Sequence, residues 1–265
     1  MLGTMRLACV SAALLAAFAL FWCPSRAAER APPIAAAADL NAALPEVAAL
    51  FERAKGKSVN LVFGSSGNLA QQIVNGAPFE LFLSADEGYI AKLEAAGRTD
   101  GEGVLYAVGH IGLFVPTGSP LKADGQLGDL AAALRDGRLT RFSIANPEHA
   151  PYGRAAQEAL DHAGLWTAIG PKLVFGENVA QATQFAASGS AQGGIIPLSL
   201  ALTPAIKTAG VFAPIPEQWH KPLRQRAALL KGAGEAARAF FAFLQGPEAR
   251  GVFKRYGFVL PGEGS

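Results

Sequence analysis

Three short words in this chain place glycine, serine, asparagine and proline where a buried strand hands over to a helix. They are Phe63-Gly64-Ser65-Ser66-Gly67-Asn68-Leu69, Asn146-Pro147-Glu148-His149-Ala150-Pro151-Tyr152-Gly153 and Gly176-Glu177-Asn178-Val179. Junctions of this kind line the carboxyl edge of a parallel sheet, where open α/β folds bind ligands. The first turn of each helix has N–H groups with no carbonyl one turn earlier to accept them, and it carries the positive end of the helix dipole. Several such starts together can hold an anion without any cation. Ser65 and Ser66 add hydroxyl donors, and Gly64 and Gly67 let the backbone come close to a ligand. The plainer alternative is that the serines only cap the helix that follows.

Asp39 also has two readings. It follows an apolar run at 34–38 and precedes Leu40, so as an N-cap its carboxylate would accept N–H bonds from the first turn of a helix. Facing a ligand instead, it would repel a fully ionised oxyanion but accept a proton from hydrogen phosphate. His149 has no nucleophile or orienting carboxylate at motif spacing and reads as structural. His110, His162 and His220 are scattered and form no metal-ligand pattern. Gly64-Ser65-Ser66-Gly67 is one residue short of a Gly-x-Ser-x-Gly elbow, so a serine hydrolase is only a distant alternative, and no catalytic residue is assigned.

The elements that must position these groups follow from periodicity. Short runs rich in β-branched and aromatic residues at 59–63, 80–83, 141–144, 172–175 and 194–196 read as buried strands. Between them, 40–53, 68–74, 86–96, 154–163 and 179–187 carry apolar residues at helical spacing. Such alternation predicts an α/β fold with mainly parallel sheets and helices on both faces. The stretch 104–116 reads as one longer strand with Gly109 and Gly112 inside it, suited either to a bend between two lobes or to a bulge. Late in the chain, 226–230 reads as a strand, and 235–244 and 247–256 as helices. Pro247 stands in a first turn and Gly257 at a C-terminal cap.

Composition bounds the rest. Arg6, the uncharged run 7–22 and the small residues near Ala27 have the order of a secretory signal peptide over residues 1–27. A lipid-bearing Cys23 is the rival reading, disfavoured by the bulky Leu20-Phe21-Trp22 before it. Cys9 and Cys23 are the two cysteines of the chain, so the mature protein is expected to have no disulfide, zinc-thiolate site or cysteine nucleophile. Of 23 basic residues only Arg6 and Arg26 fall in the leader, leaving 21 against 21 acidic. That balance argues against a nucleic-acid surface.

Five words in order, Ala35-Ala36-Ala37-Ala38-Asp39-Leu40, 63–70, 75–86, 146–153 and Phe253-Lys254-Arg255-Tyr256-Gly257-Phe258, resemble the periplasmic molybdate-binding proteins of ABC transporters, the ModA family. The resemblance spans essentially the whole mature chain and implies a type II periplasmic-binding-protein fold of two lobes and a hinge. One lobe would comprise 28–109 and 223–265, the other 110–222. It also implies a monomeric, non-enzymatic protein of the periplasm that has no cofactor, captures molybdate or tungstate through neutral donors, and passes it to a permease. Carried over by position, Ser66 would donate its hydroxyl and N–H, and Tyr152 and Val179 their N–H groups. Asp39 stands where the family has a serine and Pro197 where it has a tyrosine, a departure that resembles an Asp-Leu branch of the family. Ser65, Asn68, Asn178 and Ser199 are the expected compensating groups, Asn68 foremost. A phosphate or sulfate binder of the same fold, or a sensor that signals rather than transports, would present the same words.

Overall fold

Residues 30–262 are described by the computed structural model, so the expected leader lies outside the described residues. The strands are β1 (Pro33–Ala37), β2 (Asn60–Gly64), β3 (Leu81–Ser84), β4 (Val104–Gly109), β5 (Ile111–Pro116), β6 (Phe142–Ala145), β7 (Leu173–Gly176), β8 (Gly194–Pro197), β9 (Gly210–Pro214) and β10 (Leu223–Leu229). The helices are α1 (Ala43–Lys55), α2 (Ser66–Val74), α3 (Glu87–Ala95), α4 (Gly128–Arg135), α5 (Pro151–His162), α6 (Trp166–Ile169), α7 (Val179–Ala187), α8 (Leu198–Ala201), α9 (Pro204–Ala209), α10 (Glu235–Phe243) and α11 (Pro247–Arg255).

These strands form two five-stranded sheets, ordered β2-β1-β3-β10-β4 and β7-β6-β8-β5-β9. In the first, β1 pairs parallel with β2 and β3, while β10 runs antiparallel to both β3 and β4. In the second, β6 pairs parallel with β7 and β8, and β5 opposes β8 and β9. Four strands of each sheet therefore point one way and one opposes them. The opposing strand is in each case one that follows a crossing of the chain from the other sheet, β5 after β4 and β10 after β9.

The expected single strand over 104–116 is broken at His110. Gly109 closes β4 in the first sheet and Ile111 opens β5 in the second. The helix expected from Leu40 instead starts at Ala43, after a separate 3₁₀ turn at Ala38–Leu40.

Period-two alternation explains how the first sheet is covered. Ile34 and Ala36 of β1 face α1, α10 and α11, where Phe51 meets the rings of Phe240 and Phe243 at centroid distances of 5.1 and 5.5 Å. Ala35 between them faces Leu69 and Ile73 of α2 and Ile90 and Leu93 of α3. The second sheet is likewise two-sided. Ile144 and Ile195 pack with Ala155 and Ala159 of α5, while Phe114 and Ile196 meet Ala186 of α7. Burial on both faces is what a near-continuous apolar strand requires.

Candidate functional site

A buried cleft with an empty volume of about 190 Å³, its mouth included, lies where the carboxyl ends of strands from the two sheets meet. The first sheet contributes Ala38 and Asp39 after β1, Ser65 and Ser66 after β2, and Ala85 after β3. The second contributes Ala150 to Tyr152 after β6, and Asn178 with Val179 after β7.

Helix starts dominate this lining. Ser66 and Val179 are the first residues of α2 and α7, and Tyr152 is the second of α5, behind Pro151. Proline suits that first position because the N–H it lacks would have no helical partner there. Asp39 sits in the 3₁₀ turn Ala38–Leu40, which faces the same cleft. Among the lining residues no side chain is cationic.

Two of these starts are held by side-chain caps. Ser65 caps α2, accepting the Asn68 N–H at 3.4 Å. Asn178 caps α7, its side-chain oxygen accepting the Ala180 and Gln181 N–H groups at 3.0 and 3.1 Å. Ser66 Oγ accepts the Ala85 N–H at 3.0 Å and is buried; an oxygen that accepts there keeps its own proton for another partner. Asn178→Ala is expected to lower stability by about 1 kcal/mol through the lost cap. The measurement is the urea midpoint at constant slope; a midpoint equal to the wild type would mean that packing alone holds α7.

Asp39 is fully buried and does not cap α1, whose N-cap Ala42 makes no side-chain bond. Its Oδ2 instead accepts from Gln225 Nε2 at 2.7 Å and from the Tyr152 hydroxyl at 3.0 Å. Gln225 also donates to the Tyr152 oxygen at 3.0 Å and accepts from the Tyr106 hydroxyl at 2.7 Å. Asp39 Oδ1 is buried without a partner among the described residues. Burial is the main cause that pushes this carboxyl up to about 6, against the lowering effect of the bonds from Gln225 and Tyr152. Burial likewise raises both tyrosines above the ordinary phenol range, with the Asp39 charge adding to it.

Across the cleft the two sides touch directly. The Gly67 N–H donates to the His149 carbonyl at 2.9 Å, and His149 Nδ1 lies 3.0 Å from Ser65 Oγ. Arg154 of α5 bonds the Tyr89 hydroxyl at 3.0 Å and pairs with Asp86, both on the first-sheet side.

Six of the eight residues singled out from sequence line the cleft: Asp39, Ser65, Ser66, Tyr152, Asn178 and Val179. Asn68 does not. Two residues beyond Ser66 on α2 it has turned away from the lining, and its amide donates to Glu177. Ser199 acts one step removed, its hydroxyl donating to the Asp39 carbonyl at 2.8 Å, and Pro197 forms the N-cap of α8. Gln225 and Tyr106 were missed. The signal for Gln225 was alternation, since it lies fully buried between Arg224 and Arg226, and a polar residue at an inward strand position demands a buried partner.

The chain matches the family described as "Bacterial extracellular solute-binding protein" over residues 33–259. It is similar to the molybdate-binding protein ModA of Azotobacter vinelandii, 40% identical over 244 residues that cover 91% of this chain and 94% of that one. ModA of Escherichia coli K12 is 34% identical, with 85% and 87% covered. Among solved structures, an Azotobacter vinelandii periplasmic molybdate-binding protein superposes with a TM-score of 0.77 at 31% identity, covering 87% of this chain and 99% of that one. The sulfate-binding protein SubI of Mycobacterium tuberculosis shares the fold, with a TM-score of 0.71 at 18% identity.

Proposed function

This chain belongs to the ModA family of bacterial extracellular solute-binding proteins, and on that premise we propose that it captures molybdate or tungstate in the cleft between its two sheets and delivers it to an ABC permease. The observation that carries this reading is the convergence of helix starts bearing Asp39, Ser66, Tyr152 and Val179 on one buried cleft whose lining has no cation. Molybdate and tungstate carry no proton at neutral pH, so donors suffice. Dipoles already aimed at the ion need no reorganisation when it arrives. Selection against sulfate, which has the same charge and shape, then rests on cavity size.

In this reading Ser66 donates its hydroxyl and N–H, Tyr152 and Val179 donate N–H groups, and Asn178 and Ser65 hold two of the helices in place. The lobes are 28–109 with 223–265, and 110–222. They turn about the crossings near His110 and between β9 and β10, with the ligand supplying the contacts that favour closure. The protein works outside the cytoplasm as a monomer and performs no catalysis. Phosphate is the second ligand to test, because Asp39 borders the cleft and an ionised carboxylate accepts the proton of hydrogen phosphate.

Titration calorimetry with molybdate, tungstate, sulfate and phosphate tests the assignment. Molybdate and tungstate are expected to bind most tightly, and binding of phosphate alone would overturn it. Ser66→Ala is expected to weaken molybdate binding by about 2 kcal/mol, the scale of a hydrogen bond to a charged group, or roughly thirtyfold. An unchanged dissociation constant would remove Ser66 from the contact set.

A further inference from the structure

Asp39 is a carboxyl at the border of a cleft read as an anion site, and its two oxygens are not equivalent. Oδ2 accepts two hydrogen bonds, from Gln225 Nε2 at 2.7 Å and from the Tyr152 hydroxyl at 3.0 Å, whereas Oδ1 is buried with none. The groups facing it are Tyr152 from α5, Gln225 from β10, and Tyr106 from β4 behind Gln225, with Ser199 of α8 on its main-chain carbonyl. Neither β2, α7 nor α8, which also pack against this turn, carries a titratable residue. No cation offsets the carboxylate on any of these sides.

We infer that the anion-loaded protein holds Asp39 as the neutral acid with its proton on Oδ1, so that each unprotonated dianion is captured together with one proton and Asp39 serves as a donor that selects among anions. The inference rests on the oxyanion reading above. A carboxylate and a dianion confined in one dry cleft repel each other far more strongly than in water, and no cation on the lining offsets the added charge. Protonation removes that repulsion. The proton goes to Oδ1 because both lone-pair directions of Oδ2 are already occupied. The acid O–H then supplies a donor of the kind that a hydroxyl side chain would give at this position. Burial has already pushed the free carboxyl up to about 6, so the required shift starts close to neutrality.

The count of protons separates the ligand classes. An unprotonated dianion should draw one proton from solvent, whereas hydrogen phosphate, supplying its own proton to an ionised Asp39, should draw none.

Calorimetry of the wild-type protein with molybdate at pH 8, in two buffers of different ionisation enthalpy, tests this directly. Uptake of about one proton is expected, with the dissociation constant rising roughly tenfold per pH unit above about pH 6. The wild-type measurement does not depend on a variant folding. In Asp39→Asn, which cannot ionise, proton uptake and the pH slope are both expected to vanish. Molybdate binding at pH 8 without proton uptake, or a wild-type slope surviving in Asp39→Asn, would overturn the inference and leave the oxyanion reading standing. Failure of molybdate, tungstate and sulfate to bind even at pH 5.5 would overturn both.

Discussion

Gly67→Val is expected to weaken molybdate binding about 100-fold or more while leaving the unfolding of the ligand-free protein nearly unchanged. Gly67 lies in the first turn of α2, beyond the first sheet, and its N–H meets the His149 carbonyl beyond the second at 2.9 Å. A Cβ at this position would stand 2.6 Å from the His149 oxygen, 2.9 Å from its Cα and 2.7 Å from the Tyr89 hydroxyl. Two of those three atoms are backbone and cannot swing aside. Overpacking of this kind costs about 1–3 kcal/mol or more, and valine adds two methyl groups to the clash. The penalty from the two His149 atoms falls on the arrangement in which the two sides touch, whereas the Tyr89 hydroxyl, on the same side as Gly67, is a side-chain end that can shift. The open form proposed above would escape the His149 clash, so folding is expected to be spared apart from a few tenths of a kcal/mol of helix propensity. Calorimetry with solution scattering measures both parts. Wild-type affinity in Gly67→Val would show that the ion is bound without this contact.

The second large effect concerns stability rather than affinity. Asp39→Asn is expected to stabilise the ligand-free protein by about 3 kcal/mol at pH 8, and by almost nothing at pH 4. The sign follows from linkage. The folded carboxyl sits at about 6 against an ordinary value of 3.8, so between these values the folded state holds more protons than the unfolded one. Stability therefore falls as pH rises through that window and stays lower above it. A difference of roughly two pKa units is worth about 3 kcal/mol. Below pH 4 acid and amide are both neutral and of similar shape, and the advantage of the variant closes. Urea unfolding of the two proteins between pH 4 and pH 8 gives the curve. A constant difference would mean that Asp39 does not change its charge in this range.

Much of the architecture was legible because it follows from local rules. The span 179–187 was read from apolar spacing behind Asn178, and α7 has those limits because an asparagine cap fixes its start. The strand-to-helix words lead to the cleft because parallel strands must send such junctions to one edge. What local rules could not give was decided by partners far away in sequence. Asp39 looks like an N-cap, yet its oxygen is taken by Tyr152 and Gln225, 113 and 186 residues away. Asn68 looks like a donor to the cleft, yet its amide is drawn off by Glu177, 109 residues distant. The helix α4 and strand β9 were also missed. The first has as its N-cap Leu127, which has positive φ without being glycine. The second is a half-exposed edge strand with Val211 open to solvent, so its pattern lacks the apolar contrast of a buried strand.

If the ion is held as proposed above, a cradle of amide and hydroxyl dipoles with no lysine or arginine among its walls also determines how that cargo departs. A fixed opposite charge would keep pulling on the ion as the jaws part, because attraction between whole charges fades slowly with distance. Hydrogen bonds to neutral donors fail within a fraction of an ångström. Prising the halves slightly apart therefore lets water replace every grip almost at once. In that reading the hold is a function of aperture, and a docked transporter need only pull the mouth open to empty it.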